Sequence, residues 1–275
     1  MNPLDRPDPA VVTPGSTGLF GRRKALSLFA GAGLLALAGC ASSSRSTSGL
    51  ASGTSTTTST TAAGSAAACT TAIPEETAGP YPGDGSNGPN VLSADGIVRR
   101  DIRSSFGSAT GVADGVPITI KLAVTRADGC TPLAGGAVYA WHCDQQGRYS
   151  LYTEGVTGEN YLRGIQPIGD DGSDSFLSIF PAAYSGRWPH IHFEVYPSLE
   201  QATSGSGKLA TSQLALPKAA CDLVYATDGY EASVGNLART SLASDNVFGD
   251  GYAQQLATVT GDVTGGMTVS LSLSV

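Results

Sequence analysis

The segment "VPITIKLAV" (residues 116–124) places valine, isoleucine, isoleucine, leucine and valine at every second position. A period of two puts these apolar side chains on one face of a β-strand. The last nine residues, "MTVSLSLSV" (residues 267–275), repeat the pattern, with an apolar residue at each odd position. Both segments therefore predict strands that bury one face.

Three further segments are rich in strand-forming residues: "AVYAWHC" (residues 137–143), "SFLSIFPA" (175–182) and "HIHFEVY" (190–196). Turn-forming residues separate them, since the chain holds 36 glycines and 15 prolines. One short helix is predicted near residues 230–241. Several short strands with frequent turns indicate an all-β fold, an antiparallel β-sandwich.

The N-terminal part of the chain has the features of an export signal. Residues 19–40 hold a basic cluster with the pair Arg22-Arg23, then an apolar run, then small residues that end at Cys40. The ending "LAGC" resembles a bacterial lipobox, in which Cys40 would carry the lipid; an ordinary signal peptide cleaved nearby is the alternative. We expect an exported protein, lipid-anchored on the outer face of the cell membrane or secreted, by the twin-arginine or the general route.

Residues 41–68 are almost wholly serine, threonine, alanine and glycine. Such a segment buries too little apolar surface to offset its chain entropy, so we expect a flexible tether. The predicted organisation is a signal at 1–40, a linker at 41–68 and one folded domain at 69–275, which is long enough for a core. The sequence does not predict the oligomeric state.

The formal net charge of −7 argues against nucleic acid as a partner and provides no basic surface for anionic lipids. Membrane attachment would come only from the lipid on Cys40. An exported chain with four further cysteines suggests two disulfides, in one of three pairings with Cys143–Cys221 slightly favoured. The candidate disulfide cysteines are Cys69, Cys130, Cys143 and Cys221.

Two of the three histidines, His190 and His192, are two residues apart in a predicted strand, so both side chains point to the same face. Two imidazoles in this arrangement can bind one metal ion, although a buried structural pair would give the same pattern. With His142 and a water they would also make a plausible zinc site.

Two tyrosines point to a different metal. Tyr149 follows the turn "DQQG" and Tyr184 follows "IFPAA". A phenol has a pKa of about 10, so a phenolate ligand at neutral pH needs a strongly Lewis-acidic ion, for which Fe(III) is best suited. Each tyrosine taken alone is equally consistent with a core or rim position.

Five motifs occur in the order found in one enzyme family. The chain resembles the intradiol ring-cleavage dioxygenases, which include catechol 1,2-dioxygenase and protocatechuate 3,4-dioxygenase, over roughly residues 77–213. The segment "ETAGPYP" (residues 76–82) adds to the resemblance. The five motifs are Trp141-His142, "GRYS" (147–150), "LRG" (162–164), "PAAY" (181–184) and "HIH" (190–192).

The resemblance implies an all-β sandwich of the intradiol type that cleaves catechol-type rings with O2 at a mononuclear non-haem Fe(III). The products would be muconate-type diacids. The implied iron ligands are Tyr149, Tyr184, His190 and His192.

The resemblance also assigns roles around the metal. Tyr184 corresponds to the tyrosinate that leaves iron when substrate binds, and Arg187 to an arginine that lies against the bound catecholate. Gln213, Pro80 and Tyr81 correspond to further substrate contacts. His142 corresponds to a position that is not a ligand, and we expect a buried structural histidine there.

Only six positions separate Tyr184 from His190, where catechol 1,2-dioxygenases have a longer insertion, so we expect an open pocket. The sequence does not determine which catechol is the substrate. A non-catalytic exported β-sandwich that binds a ligand remains an alternative. A copper–zinc superoxide dismutase-like protein is a weaker one, because three histidines are too few for its two metals.

Overall fold

The computed structural model describes residues 71–275. The predicted signal, the predicted tether, Cys40 and Cys69 lie outside the described residues, so the proposed domain boundaries remain predictions.

Eight strands form two four-stranded sheets in the described part of the chain. The first sheet has the order β4-β1-β8-β7 and the second has the order β3-β2-β5-β6. The strands are β1 (Pro117–Thr125), β2 (Ala137–Trp141), β3 (Arg163–Pro167), β4 (Ser173–Ile179), β5 (His190–Tyr196), β6 (Ala210–Ala215), β7 (Thr258–Asp262) and β8 (Gly266–Ser274).

The predicted β-sandwich is confirmed, with one difference in strand direction. Strands β1 and β8 pair in parallel, with Ile120 opposite Val269, whereas every other named pair is antiparallel. A parallel pair needs a long connection, and residues 126–265 lie between these two strands. The first sheet is therefore mixed.

The core between the sheets includes the apolar positions that the alternating patterns of β1, β5 and β8 predicted. Each such side chain, when fully buried, stabilises the fold by roughly 2 kcal/mol relative to exposure. The core includes Ile118, Ile120, Leu122 and Val124 of β1, Val138 and Ala140 of β2, Ile191, Phe193 and Val195 of β5, and Met267, Val269, Leu271 and Leu273 of β8.

The second sheet is buried on both faces. All residues of β2, β5 and β6 are buried. The face opposite the core is covered by the chain that precedes β1 and by the loop after β2, whose apolar side chains pack on Tyr139 and Trp141. Polar side chains on this face of β5 are therefore enclosed, and His190 and His192 are among them.

Three short α-helices follow β5: α1 (Leu199–Ser204), α2 (Lys218–Val224) and α3 (Glu231–Leu237). The helix predicted near residues 230–241 is confirmed as α3, which is shorter; a 3₁₀ turn at Leu242–Ser244 and another at Phe248–Asp250 come after it. Within residues 71–275, no helix has the length and apolar character needed to cross a membrane.

Candidate metal centre

Strand pairing in the second sheet aligns polar and aromatic side chains into a row. In the register of β2, β5 and β6, His192 lies opposite Trp141 on one side and opposite Gln213 on the other. The His192 ring stacks on the Trp141 ring, with centroids 4.9 Å apart and planes 5° apart. The sheet thus fixes the orientation of this imidazole.

The two strand histidines converge on one point. Their Nε2 atoms lie 3.1 Å apart. His190 Nδ1 lies 2.6 Å from the carbonyl oxygen of Trp188, so Nδ1 carries the proton and donates it to that oxygen. The Nε2 lone pair of His190 therefore faces the site, the arrangement usual for a metal-ligating histidine.

Tyr149 reaches the same point from the loop after β2. Asp144 organises this loop, because its Oδ1 accepts from the backbone N–H groups of Gln146 and Arg148, each at 2.9 Å. Tyr149 is only 2% exposed. Its hydroxyl oxygen lies 3.5 Å from His190 Nε2.

Tyr184 approaches from the segment between β4 and β5, with its hydroxyl oxygen 3.3 Å from His190 Nε2. Helix α3 holds this segment, since Ser233 Oγ accepts from the Ala183 N–H and Asn236 donates to the Ala183 carbonyl. Tyr184 is half-buried, whereas Tyr149 is enclosed.

Burial determines the protonation of these four groups. Burial, with the positive charge of Arg187, lowers the pKa of His190 to about 3. Burial and the neighbouring His190 hold the pKa of His192 well below its ordinary value. Burial also raises the pKa of Tyr184 to about 12 and that of Tyr149 well above its ordinary value. Without a metal, the site therefore holds two neutral imidazoles and two neutral phenols.

These four side chains fit a metal ion that accepts phenolate oxygen. Among the described residues, no group of three or more His, Cys, Asp or Glu side chains is arranged to hold a metal. A metal bound to the two histidines therefore depends on the tyrosines for further protein ligands. Neutral imidazole nitrogens are ready to coordinate, while the phenols must lose protons.

Arg187 borders the site, with its Nη1 atom 3.5 Å from His190 Nε2. Its Nη2 donates to Gln213 Oε1 at 2.7 Å. The Nε2 group of Gln213 donates to the Thr77 carbonyl at 2.9 Å. Both ends of the Gln213 amide are therefore hydrogen-bonded to protein. Gln213, which the resemblance implied as a substrate contact, is linked to the site through Arg187.

The chain before β1 covers the site near Pro80 and Tyr81. The Tyr81 ring lies 4.9 Å from the Tyr149 ring. Pro80 is exposed, and its carbonyl accepts a hydrogen bond from Asn87. Tyr81 therefore packs on a candidate ligand, while Pro80 lies at the rim of this segment.

His142 is buried and has hydrogen-bonding partners at both ring nitrogens, as expected for a structural histidine. Nδ1 lies 2.7 Å from the Cys143 carbonyl oxygen and Nε2 lies 2.6 Å from Ser178 Oγ. The geometry therefore does not support a zinc site with three histidines, nor a superoxide dismutase-like pair of metals.

The favoured disulfide Cys143–Cys221 is wrong. Both cysteines are free and buried. Cys143 packs with the aromatic cluster on the outer face of the second sheet, whereas Cys221 belongs to the core between the sheets. Cys130 is disulfide-bonded, which agrees with its selection as a candidate.

Two residues at the site were not identified from the sequence. Asp245 forms an ion pair with Arg187, with Oδ2 2.9 Å from Nε. Arg163 is buried and donates to the Ser150 and Tyr81 carbonyls, which ties the Tyr149 loop to the covering segment. The "LRG" motif contained Arg163, but a single aspartate in a polar loop gave no signal for Asp245.

Residues 100–203 match the family model described as Dioxygenase. The solved structure of an intradiol ring-cleavage dioxygenase from Tetranychus urticae aligns with a TM-score of 0.60 at 19% identity, over 74% of this chain and 94% of that one. A second dioxygenase structure aligns with a TM-score of 0.59 at 20% identity, over 75% of this chain and 94% of that one. No match was found among curated proteins.

The structural likeness defines the fold as that of the intradiol ring-cleavage dioxygenases, and residues 100–203 carry the match to the dioxygenase family. The predicted fold class is confirmed, and the match over residues 100–203 agrees with the family that the sequence predicted. The matched segment contains both tyrosines, Arg187 and both strand histidines, whereas Gln213 and Asp245 lie outside it.

Proposed function

We propose that this protein is an exported intradiol dioxygenase. It would cleave catechol-type rings with O2 at a mononuclear non-haem Fe(III) and form muconate-type diacids. In this reaction the bond between the two hydroxylated carbons breaks, and both atoms of O2 enter the product. The observation that carries the proposal is the convergence of two phenol oxygens on the histidine pair, at 3.3 and 3.5 Å from His190 Nε2.

Fe(III) fits this ligand set because it is hard and strongly Lewis-acidic. When bound, it supplies the acidity that deprotonates the phenols and the catechol, and the redox chemistry with dioxygen. Two phenolates balance two of its three charges. Zn²⁺ provides less acidity, and the high phenol pKa values at this site oppose its use.

The two tyrosines would have different roles because they differ in burial. Tyr149 is enclosed and bound to its loop, since its backbone N–H donates to Thr153 Oγ1 at 2.9 Å. Tyr184 is half-buried and can move with less loss of packing. We therefore assign Tyr184 Oη as the atom that accepts a proton from an incoming catechol hydroxyl.

Arg187 would stabilise the negative charge that develops on the catechol during ring attack. A fixed donor aimed at developing charge in a site that excludes water contributes about 3 kcal/mol in comparable oxyanion sites. Its Nη1 group faces the metal centre, which supports this role. Tyr81 would contribute a wall of the pocket through its contact with Tyr149.

Colour and metal content test the proposal. Tyrosinate bound to Fe(III) should make the purified protein reddish-brown, with one iron per chain and a band that shifts when catechol is added without oxygen. Tyr149→Phe and Tyr184→Phe should alter the band, and His142→Asn, the matched control, should retain both iron and colour. Mass spectrometry of products from a panel of catechols would then identify the substrate.

A protein that stays colourless and iron-free after correct export or refolding would overturn the proposal. That outcome would favour the non-catalytic binding protein. Loss of iron in His142→Asn but not in Tyr149→Phe would contradict the ligand set.

Export and lipid attachment at Cys40 are part of the proposal and rest on residues 19–40 alone. A Cys40→Ser variant should lose metabolically incorporated palmitate and move from the membrane fraction to the soluble exported fraction. Palmitate incorporation that persists in this variant would contradict lipidation at Cys40.

A further inference from the structure

The guanidinium of Arg187 has one edge that is hydrogen-bonded to protein and one edge that faces the metal centre. Nε donates to Asp245 Oδ2 at 2.9 Å. Nη2 donates to Gln213 Oε1 at 2.7 Å and lies 3.4 Å from Asp245 Oδ1. A guanidinium has five N–H donors. These contacts engage the donors on Nε and Nη2. The two N–H donors of Nη1 make none of these contacts, and they lie on the side of the metal centre.

Asp245 is itself held rigidly. Its side chain has no exposed surface, and it accepts from the backbone N–H groups of Trp188 at 2.7 Å, Val247 at 2.9 Å and Phe248 at 3.2 Å. Burial acts to raise the pKa of Asp245, but the hydrogen bonds from Arg187 and these backbone groups bring it below its ordinary value. The carboxylate is therefore charged, and its position is fixed by the backbone around it.

We propose that Asp245 is a positioning residue, which orients Arg187 so that Nη1 is the donor edge presented to the substrate. The proposal rests on the function proposed above, because it assigns how Arg187 acts in that reaction. Asp245 lies 58 positions from Arg187 in sequence and beyond the residues that match the dioxygenase family.

Electrostatics explains why Arg187 needs this partner. The Arg187 side chain is 15% exposed, and a charge with so little solvation is costly unless it is paired. A metal cation held by the two histidines would also repel the guanidinium. The Asp245 carboxylate opposes both effects, and a displacement of about 1 Å in such a group costs on the order of 100-fold in rate.

Asp245→Asn is the central test, since it keeps the size of the side chain and removes the charge. We expect kcat of the iron-loaded protein to fall about 100-fold with little change in KM. The variant loses stabilisation of the charge that develops in the transition state, whereas substrate binding is retained. Asp174→Asn is the matched control, as it makes the same substitution at a buried aspartate in the other sheet. Its kcat per iron should equal that of the wild type.

A double-mutant cycle separates positioning from a purely structural role. If Asp245 acts through Arg187, then adding Asp245→Asn to Arg187→Gln should change kcat by less than about twofold. A residue that only stabilises its loop would lower the thermal midpoint in every background. It would not lower kcat per folded, iron-loaded molecule.

A measurement on the metal-free protein tests the ion pair without activity. In ¹⁵N NMR spectra, the Arg187 Nε–H should exchange slowly with solvent in the wild type and at least about tenfold faster in Asp245→Asn. If Asp245→Asn does not fold, Asp245→Glu takes its place. It retains the charge with one more methylene, and we expect it to fold with kcat reduced about tenfold.

The outcomes distinguish this inference from the proposed function. Iron-loaded wild type that converts no catechol would overturn the function. Active wild type together with an Asp245→Asn variant of unchanged kcat and unchanged Nε–H exchange would overturn the role of Asp245 alone.

Discussion

Gly147 lies directly against Tyr184: a Cβ atom at position 147 would be 3.0 Å from the Tyr184 Cβ. Gly147 also has φ of +82°, in the region that favours glycine. Gly147, two positions before the candidate ligand Tyr149, thus determines the space available to the second candidate ligand, Tyr184. The glycine of the "GRYS" motif has a packing reason as well as a turn reason.

Gly147→Ala should therefore damage the metal centre more than the fold. The positive φ costs roughly 1–2 kcal/mol for alanine, and the contact pushes Tyr184 away from the histidines. We expect a lower thermal midpoint and an altered tyrosinate band in the iron-loaded protein.

Gly107→Ala is the matched control, because Gly107 has φ of +69° and nothing within 4 Å of its Cβ position. It should lower the midpoint similarly and leave the band unchanged. Identical spectra for both variants would show that the contact with Tyr184 has no effect on the centre.

The stacking of Trp141 on His192 predicts a role for the indole ring in metal retention. His192 Nδ1 has no hydrogen-bonding partner among the described residues, so the strand and the stacked ring orient the imidazole. Trp141→Leu removes the ring, and iron loss to a chelator should become about 10-fold faster, as for other groups that support a metal ligand.

Trp141→Phe is the comparison. It keeps an aromatic face and removes the indole N–H, which has no partner within residues 71–275. Iron should leave this variant within about twofold of the wild-type rate. Equal rates for the leucine and phenylalanine variants would contradict a stacking role.

The free thiols give a prediction that does not involve the metal. Burial raises the pKa of the Cys143 and Cys221 thiols well above the ordinary value, which suppresses the reactive thiolate. Alkylation of both should be on the order of 100-fold slower in the folded protein than in denaturant. Peptide mass mapping measures each site, and a non-reduced peptide that links Cys143 to Cys221 would contradict the structure.

The strands that the sequence predicted are those with alternating apolar residues or with many strand-forming residues. β5 has the predicted bounds His190–Tyr196, and β1 and β8 shift by one residue. β6 (Ala210–Ala215) was missed because a strand buried on both faces need not alternate. β3 (Arg163–Pro167) was missed because it contains a glycine and a proline, which are typical of turns.

The candidate site was predictable where the chemistry is local or belongs to a motif. His190 and His192 are two residues apart, and Tyr149 and Tyr184 follow recognisable turns. Asp245 and the packing of Cys143 away from Cys221 depend on how distant segments meet in the fold. No residue spacing in the sequence indicates which of these distant segments come into contact.

Asp174 predicts how the stability of the fold depends on pH. It is buried on β4, and an interaction with the Leu122 backbone offsets only part of the cost of burying its carboxylate. Burial raises its pKa from 3.8 to about 8. The folded state therefore binds this proton more tightly than the unfolded state does.

The sign of the effect follows from linkage. The stabilisation from the protonated carboxyl is fully present below about pH 4 and is lost as the pH rises through about 8. Between these limits the wild type should lose up to about 1.4 kcal/mol of unfolding free energy per pH unit relative to Asp174→Asn. All other groups titrate equally in both proteins, so the difference isolates Asp174.

Urea unfolding of both proteins at each pH from 4 to 9 measures this difference. Asp222→Asn, on the exposed face of α2, is the control and should follow the wild-type curve with a nearly constant offset. We expect Asp174→Asn to be the more stable protein at pH 8, because asparagine avoids a buried charge. Parallel curves for the wild type and Asp174→Asn would mean that Asp174 is solvated in the folded protein.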